Sequence, residues 1–152
     1  MPAVLHLHDR RAHKAAPKPA QQSGVLAYRK NAAGMVEILV LKKPHARNWG
    51  IPKGNQEEHL SLADNAAKEA FEEAGISGLV RKTASGSYRA LKRVCDQQIV
   101  IEVWVFLMDV EKQAADWPEK SKREIQWLSP AEAALVLREP LLADLCRSLA
   151  TP

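Results

Sequence analysis

The stretch that most constrains this chain is Gly54 to Ile76, GNQEEHLSLADNAAKEAFEEAGI, entered through Trp49-Gly50-Ile51-Pro52-Lys53. Ser61 is a good N-cap, Asp64 falls three residues on as a capping-box partner, and Gly75 supplies a left-handed stop. The spacing therefore predicts a helix from about Leu62 to Ala74. At about 100° per residue, Glu69, Glu72 and Glu73 share one arc with Asn65, while Ala63, Ala66, Ala67, Ala70, Phe71 and Ala74 fill the opposite one. One face is carboxylate and the other is core. Three carboxylates so spaced repel one another by a few tenths of a kcal/mol per pair, and no base four residues onward relieves Glu69 or Glu72. A hard divalent cation, Mg²⁺ or Mn²⁺, would relieve them, taking one or two carboxylates and completing its shell with water and substrate phosphate. A solvated acidic face is the other reading of the same residues.

The frame of this stretch resembles the Nudix box, G-x5-E-x7-R-E-U-x-E-E-x-G-U with U aliphatic. Gly54, Glu69, Glu72, Glu73, Gly75 and Ile76 match it, while Leu60 replaces the first glutamate, Lys68 the arginine, and Ala70 is a small choice for U. Glu57 and Glu58 lie in the same loop as Leu60 and are candidates to stand in for the missing carboxylate. Lys68 keeps the charge of arginine but not its planar fork. The resemblance implies hydrolysis of a diphosphate linkage with Mg²⁺ or Mn²⁺ held by Glu69, Glu72, Glu73 and the Gly54 carbonyl. It also implies an α/β (α+β) fold, a mixed β-sheet sandwiched between α-helices.

Around the helix, Gly24–Arg29 and Val36–Leu41 read as a hairpin across the turn Asn31–Gly34, and Gly78–Lys82 and Ser85–Leu91 as bent strands. Gln98–Met108 is the clearest strand. It is apolar on both faces except at Glu102, whose carboxylate lies either at an open rim or in the site. Gln113–Lys122 is a polar loop, Glu124–Leu128 a short strand, and Ser129-Pro130 and Pro140 open two closing helices. Leu135, Leu137, Leu141, Leu142, Leu145 and Leu149 are expected in the core.

The length fits one domain, and the +4 charge is unevenly placed: Met1–Gln22 carries Arg10, Arg11, Lys14 and Lys18 against Asp9, leaving the remainder nearly neutral. Residues 1–22 read as a flexible basic arm, with His6, His8 and His13 scattered in it, ahead of a hydrolase domain at 23–152. Without interleaved aromatics the arm gives little reason to expect a nucleic-acid partner. Two widely spaced cysteines, no membrane-length apolar run and no secretory apolar core point to a cytoplasmic protein.

Basic residues flank the box on both sides, Lys42, Lys43 and Arg47 before it and Arg89, Lys92 and Arg93 after it. With Lys53 they are the candidate contacts for a polyphosphorylated small molecule. Outside the box, WGIPKGN and DWPEKSKREIQWLSPAEAALVLREPLL are similar to bacterial relatives of the diphosphoinositol polyphosphate phosphohydrolases. That similarity implies a diphosphoinositol or dinucleoside polyphosphate substrate. Besides Glu72 and Glu73, carboxylates that could act as the base are Glu119, Glu102 and Glu58. Two rival readings remain, a Nudix-fold module that senses a ligand without cleaving it and a nucleotide-pool sanitising pyrophosphohydrolase like MutT.

Overall fold

The computed structural model describes residues 18–150. Seven strands form one mixed sheet: β1 (Ala20–Lys30), β2 (Val36–Lys42), β3 (Lys53–Asn55), β4 (Ile76–Val80), β5 (Gly86–Val94), β6 (Gln97–Gln113) and β7 (Glu124–Leu128). Among the described residues three α-helices cover it, α1 (Leu62–Ala74), α2 (Pro130–Val136) and α3 (Pro140–Leu149).

The sheet runs β4-β6-β1-β2-β7, with β3 added to β1 and β5 to β6. The expected hairpin forms, pairing Tyr28 with Ile38, and the long apolar strand β6 lies parallel to β1, Val25 opposite Phe106. Period-2 alternation along these strands divides the core between two faces. Val25, Ala27, Leu39, Phe106 and Met108 pack under α1 with Ala66, Ala70 and Ala74. Leu26, Ile38, Val40, Val105 and Leu107 pack under α2 and α3 with Ala133, Leu137, Leu142 and Cys146. Both sides of the sheet are therefore covered, as the resemblance implied.

Helix α1 spans the expected residues. The Ser61 side chain accepts from the Asp64 N–H at 3.0 Å, and Gly75 takes φ 70° with its own N–H on the Phe71 carbonyl. A side chain at Gly75 would also overlap the Trp117 ring, so glycine is required there twice over. Ser129 and Glu132 close a full capping box at the start of α2.

Several expectations need correction. Ala20, Gln21 and Gln22, assigned to the basic arm, pair with Ile101, Glu102 and Val103, so the sheet begins ahead of the expected boundary at Ser23. The rest of the arm, with His6, His8 and His13, lies outside the described residues apart from Lys18 and Pro19. Phe71 is 41% exposed and Leu135 80%, because the sheet already buries the alanine face of α1 and the opposite side of α2. Strand β6 runs five residues beyond Met108, where β4 extends the pairing that β5 begins. Among the described residues no helix is long and apolar enough to cross a membrane.

Candidate active site

One cleft of about 570 Å³ is lined by β3, the Glu69–Glu73 face of α1, the near face of the β5–β6 hairpin, the start of β1 and the end of β2 with the loop that follows it. Its charged lining includes Lys43, Lys53, Glu69, Glu73, Lys92 and Arg123. β3 reaches the helix because Gly54 has no side chain; a Cβ there would overlap the Glu69 carboxylate. On the other side of β3, Gly24 leaves room for Lys53, since its Cβ would meet the Pro52 carbonyl and the Lys53 stem.

Glu73 is the most confined carboxylate, 8% exposed. One oxygen accepts the Lys53 N–H at 3.4 Å and the other lies 3.6 Å from the Arg123 guanidinium, which also holds Glu119 at 3.1 Å. Burial outweighs the arginine and pushes the Glu73 carboxyl up to about 7. Glu69 is raised as well, first by burial and then by neighbouring Glu72. Lys53 moves the other way: burial lowers its ammonium, Glu73 partly restores it, and Lys92, Arg123 and Lys43 lower it further. Acids and bases in the cleft are both short of solvation, which a cation together with a polyanion would supply.

The three box glutamates do not act as one group. At about 100° per residue, Glu73 lies to one side of Glu69 and Glu72 to the other, beside Lys68. Lys68 Nζ is 2.8 Å from Glu72 and 3.5 Å from Glu57, so Glu72 does have a basic neighbour, one turn before it rather than after. Glu69 and Glu73 line the cleft; Glu72 lies outside its lining.

The expected phosphate contacts divide in the same way. Lys43, Lys53 and Lys92 line the cleft, whereas Arg47, exposed in the loop after Lys43, does not. Arg89 and Arg93 alternate with Lys92 along β5 and face the opposite side of the hairpin, so the supposed second basic group is not a single patch. Glu102 sits across from Arg89 on that far face, accepting a 2.8 Å hydrogen bond from the Ser87 hydroxyl, and is removed from the cleft. Glu58 is exposed in the loop before α1.

Arg123 escaped the sequence reading, its only signal being a basic run ahead of a short strand. Its position is set by the segment 113–123, which finishes the C-terminus of α1. The Glu119 N–H donates to the Glu72 carbonyl at 2.9 Å, the Trp117 indole to Glu73 at 3.2 Å, the Gln113 amide to Ala74 at 3.4 Å, and the Ala114 N–H to Gly75 at 2.8 Å. Carbonyls that a helix end leaves orphaned are thus satisfied by the same loop that delivers Arg123 and Glu119.

A family model described as "NUDIX domain" matches residues 20–146, the span that carries both the sheet and this cleft. The chain belongs to the Nudix family. Nudix hydrolase 12, mitochondrial, from Arabidopsis thaliana is 29% identical over 107 residues, 68% of this chain and 53% of that protein. Nudix hydrolase 17, mitochondrial, from the same plant is 31% identical over 104 residues, 68% of this chain and 56% of that protein. The chain thus spans about half the length of the curated relatives it matches. Among solved structures, a Caenorhabditis elegans Ap4A hydrolase complex aligns with TM-score 0.61 at 19% identity over 86% of this chain and 94% of that one. The Nudix domain of Shewanella oneidensis NrtR, complexed with ADP ribose, aligns with TM-score 0.66 at 14% identity over 91% and 92%. These likenesses place the chain broadly among Nudix proteins and do not single out the diphosphoinositol branch.

The family commonly uses a divalent cation. Among the described residues no three His, Cys, Asp or Glu side chains gather into a metal-holding group. The residues nonetheless fit Mg²⁺ or Mn²⁺, which need only one or two carboxylates when water and phosphate complete the shell. Glu69 and Glu73 are one turn apart in the cleft, Gly54 backbone lies against Glu69, and burial disfavours both carboxylates as bare anions.

Proposed function

We propose that the cleft binds a phosphoanhydride compound and hydrolyses it with Mg²⁺ or Mn²⁺. The observation that carries this reading is the placing of buried Glu73 and half-buried Glu69, both raised by burial, in one cleft lined by Lys43, Lys53, Lys92 and Arg123. In this reading Glu69, Glu73 and the Gly54 carbonyl would hold the cation, which would supply Lewis-acid polarisation of phosphoryl oxygens and a lowered pKa for bound water. Lys53, Lys43 and Lys92 receive the phosphate oxygens. As the water oxygen bonds to phosphorus and the bridging P–O bond breaks, the water proton would pass to Glu119, held beside the cleft by Arg123. Arg123 keeps Glu73 and Glu119 oriented. Dinucleoside polyphosphates, ADP-ribose and nucleoside triphosphates all contain the required linkage.

The second reading, a sensor that binds such a compound without cleaving it, is favoured by Leu60 at the first glutamate of the box and by the cationic partners that already engage Glu72 and Glu73. A panel of dinucleoside polyphosphates, ADP-ribose, diphosphoinositol phosphates, 8-oxo-dGTP and capped RNA, with Mg²⁺ and with Mn²⁺, separates the two. Turnover to phosphate-containing products of any member is expected. Saturable binding without turnover across the panel supports the sensor, and neither binding nor turnover rejects both readings.

A further inference from the structure

Gln22 is 4% exposed and lines the cleft, yet its carboxamide is only half satisfied. Nε2 donates to Asn55 Oδ1 at 3.0 Å, and the carbonyl oxygen Oε1 is buried with no hydrogen-bond partner. Such an orphan is a standing cost to the fold and calls for an explanation. Among the described residues the other side-chain atom in this state is Oε1 of Gln56. That amide is spent tying the Glu57 and Leu60 carbonyls in the loop before α1, outside the cleft lining.

The pairing of β1 with β3 fixes where the Gln22 amide lies. Gln22 is opposite Asn55 and Gly24 is opposite Lys53. Side chains two apart on a strand share a face, so the Gln22–Asn55 pair lies about 7 Å along the strands from Lys53. A phosphate at Lys53 would bring the group one sugar-sized ring beyond it to this amide pair. An unpaired carbonyl oxygen selects a hydrogen-bond donor. No Phe, Tyr or Trp is among the described residues lining the cleft, so a flat base finds no ring to stack on there. A hydroxyl needs none.

We propose that Gln22 and Asn55 read a sugar or polyol hydroxyl of the ligand, next to the phosphate received by Lys53; this rests on the phosphoanhydride reading above. Gln22 Oε1 accepts the hydroxyl proton, and Asn55, exposed at the end of β3, holds the amide in the accepting orientation. The position is a specificity determinant, distinct from the carboxylates of the reaction.

The test is calorimetric titration of the whole chain with ADP, 2′,3′-dideoxy-ADP, inositol trisphosphate and inorganic tripolyphosphate, repeated for Gln22→Met and Asn55→Ala. The wild type is expected to bind a hydroxylated ligand about tenfold more tightly than its hydroxyl-free counterpart, the equivalent of one hydrogen bond. Either variant should reduce that preference to about twofold. A preference for ADP over its dideoxy analogue assigns the hydroxyl to a sugar, and one for inositol trisphosphate over tripolyphosphate assigns it to a polyol. Gln22→Met should melt no lower than the wild type, since it removes an unpaired acceptor, and exposed Asn55→Ala tests the same point if Gln22→Met fails to fold. Tripolyphosphate binding with no hydroxyl preference, or a preference that survives both variants, overturns this inference alone. Failure of all four ligands to bind removes it together with the phosphoanhydride reading.

Discussion

The acidic run on α1 and the basic run on β5 look alike in the sequence, each a tight group of three like charges, and folding splits both by different rules. On the helix, Glu69 and Glu73 stay together because one turn separates them, while Glu72 swings toward Lys68. On the strand the period is 2, so Lys92 enters the cleft while Arg89 and Arg93 leave by the far face. Charge density along a chain therefore says little about charge density in a site until the local period is applied. In both runs, the residues that face the cleft are those the rest of the site is built around.

The largest expected effect is on hydrolysis. Glu73→Gln should lower kcat/KM by about 10²-fold or more, the scale of losing one preorganised electrostatic group. The substitution removes the Arg123 contact as well as the proposed cation ligand. A folded variant with near-full turnover would dissolve the distinction drawn within the acidic run.

Next in size is a pH effect on stability without metal. The Glu73 carboxyl rises from 4.5 to about 7 on folding, so the native state holds its proton more tightly than the unfolded chain. Stability is then greatest below about 4.5 and declines as pH rises through 7, by about 3 kcal/mol from this group. Denaturation of wild type and Glu73→Gln at pH 5 and pH 8 isolates it: the wild type should lose most of that amount relative to the variant. Parallel behaviour at the two pH values would show that Glu73 is not confined as described.

For the basic run, Lys92→Ala should weaken binding of a polyphosphate about tenfold, and Arg89→Ala and Arg93→Ala by no more than about twofold. An equal loss for all three would mean that the hairpin presents one cationic face after all. The smallest effect belongs to Lys68→Ala, whose solvent-screened pairing with Glu72 should lower the melting midpoint only slightly.

How much of this was legible depends on the range of the interactions that fix each part. The bounds of α1 and its two caps follow from Ser61 and Gly75, both local, and the sequence pattern locates them to the residue, although Asp64 gives Ser61 only its N–H and its side chain does not close the expected capping box. The β1–β2 hairpin and the two-sided character of β6 follow from alternation. Arg123 was not legible, because its place depends on the carbonyls of Glu72, Glu73, Ala74 and Gly75, some forty to fifty residues earlier. The exposure of Phe71 was missed for a related reason. The arc of small residues on α1 is wider than the sheet can cover, and the sheet settles on Ala66, Ala70 and Ala74. Lys68, one of the three departures from the box, becomes intelligible only in three dimensions, where it bridges Glu57 and Glu72.

The central claim is that Glu69 and Glu73, but not Glu72, make a cation site inside a phosphate-binding cleft. Titration of Mn²⁺ into the wild type and into Glu69→Gln, Glu72→Gln and Glu73→Gln, followed by the paramagnetic resonance of free Mn²⁺, tests it directly. One saturable site in the wild type, weakened at least tenfold by Glu69→Gln and by Glu73→Gln and less than threefold by Glu72→Gln, is the expected result. Equal weakening by all three, or Mn²⁺ binding that none of them changes, would contradict it.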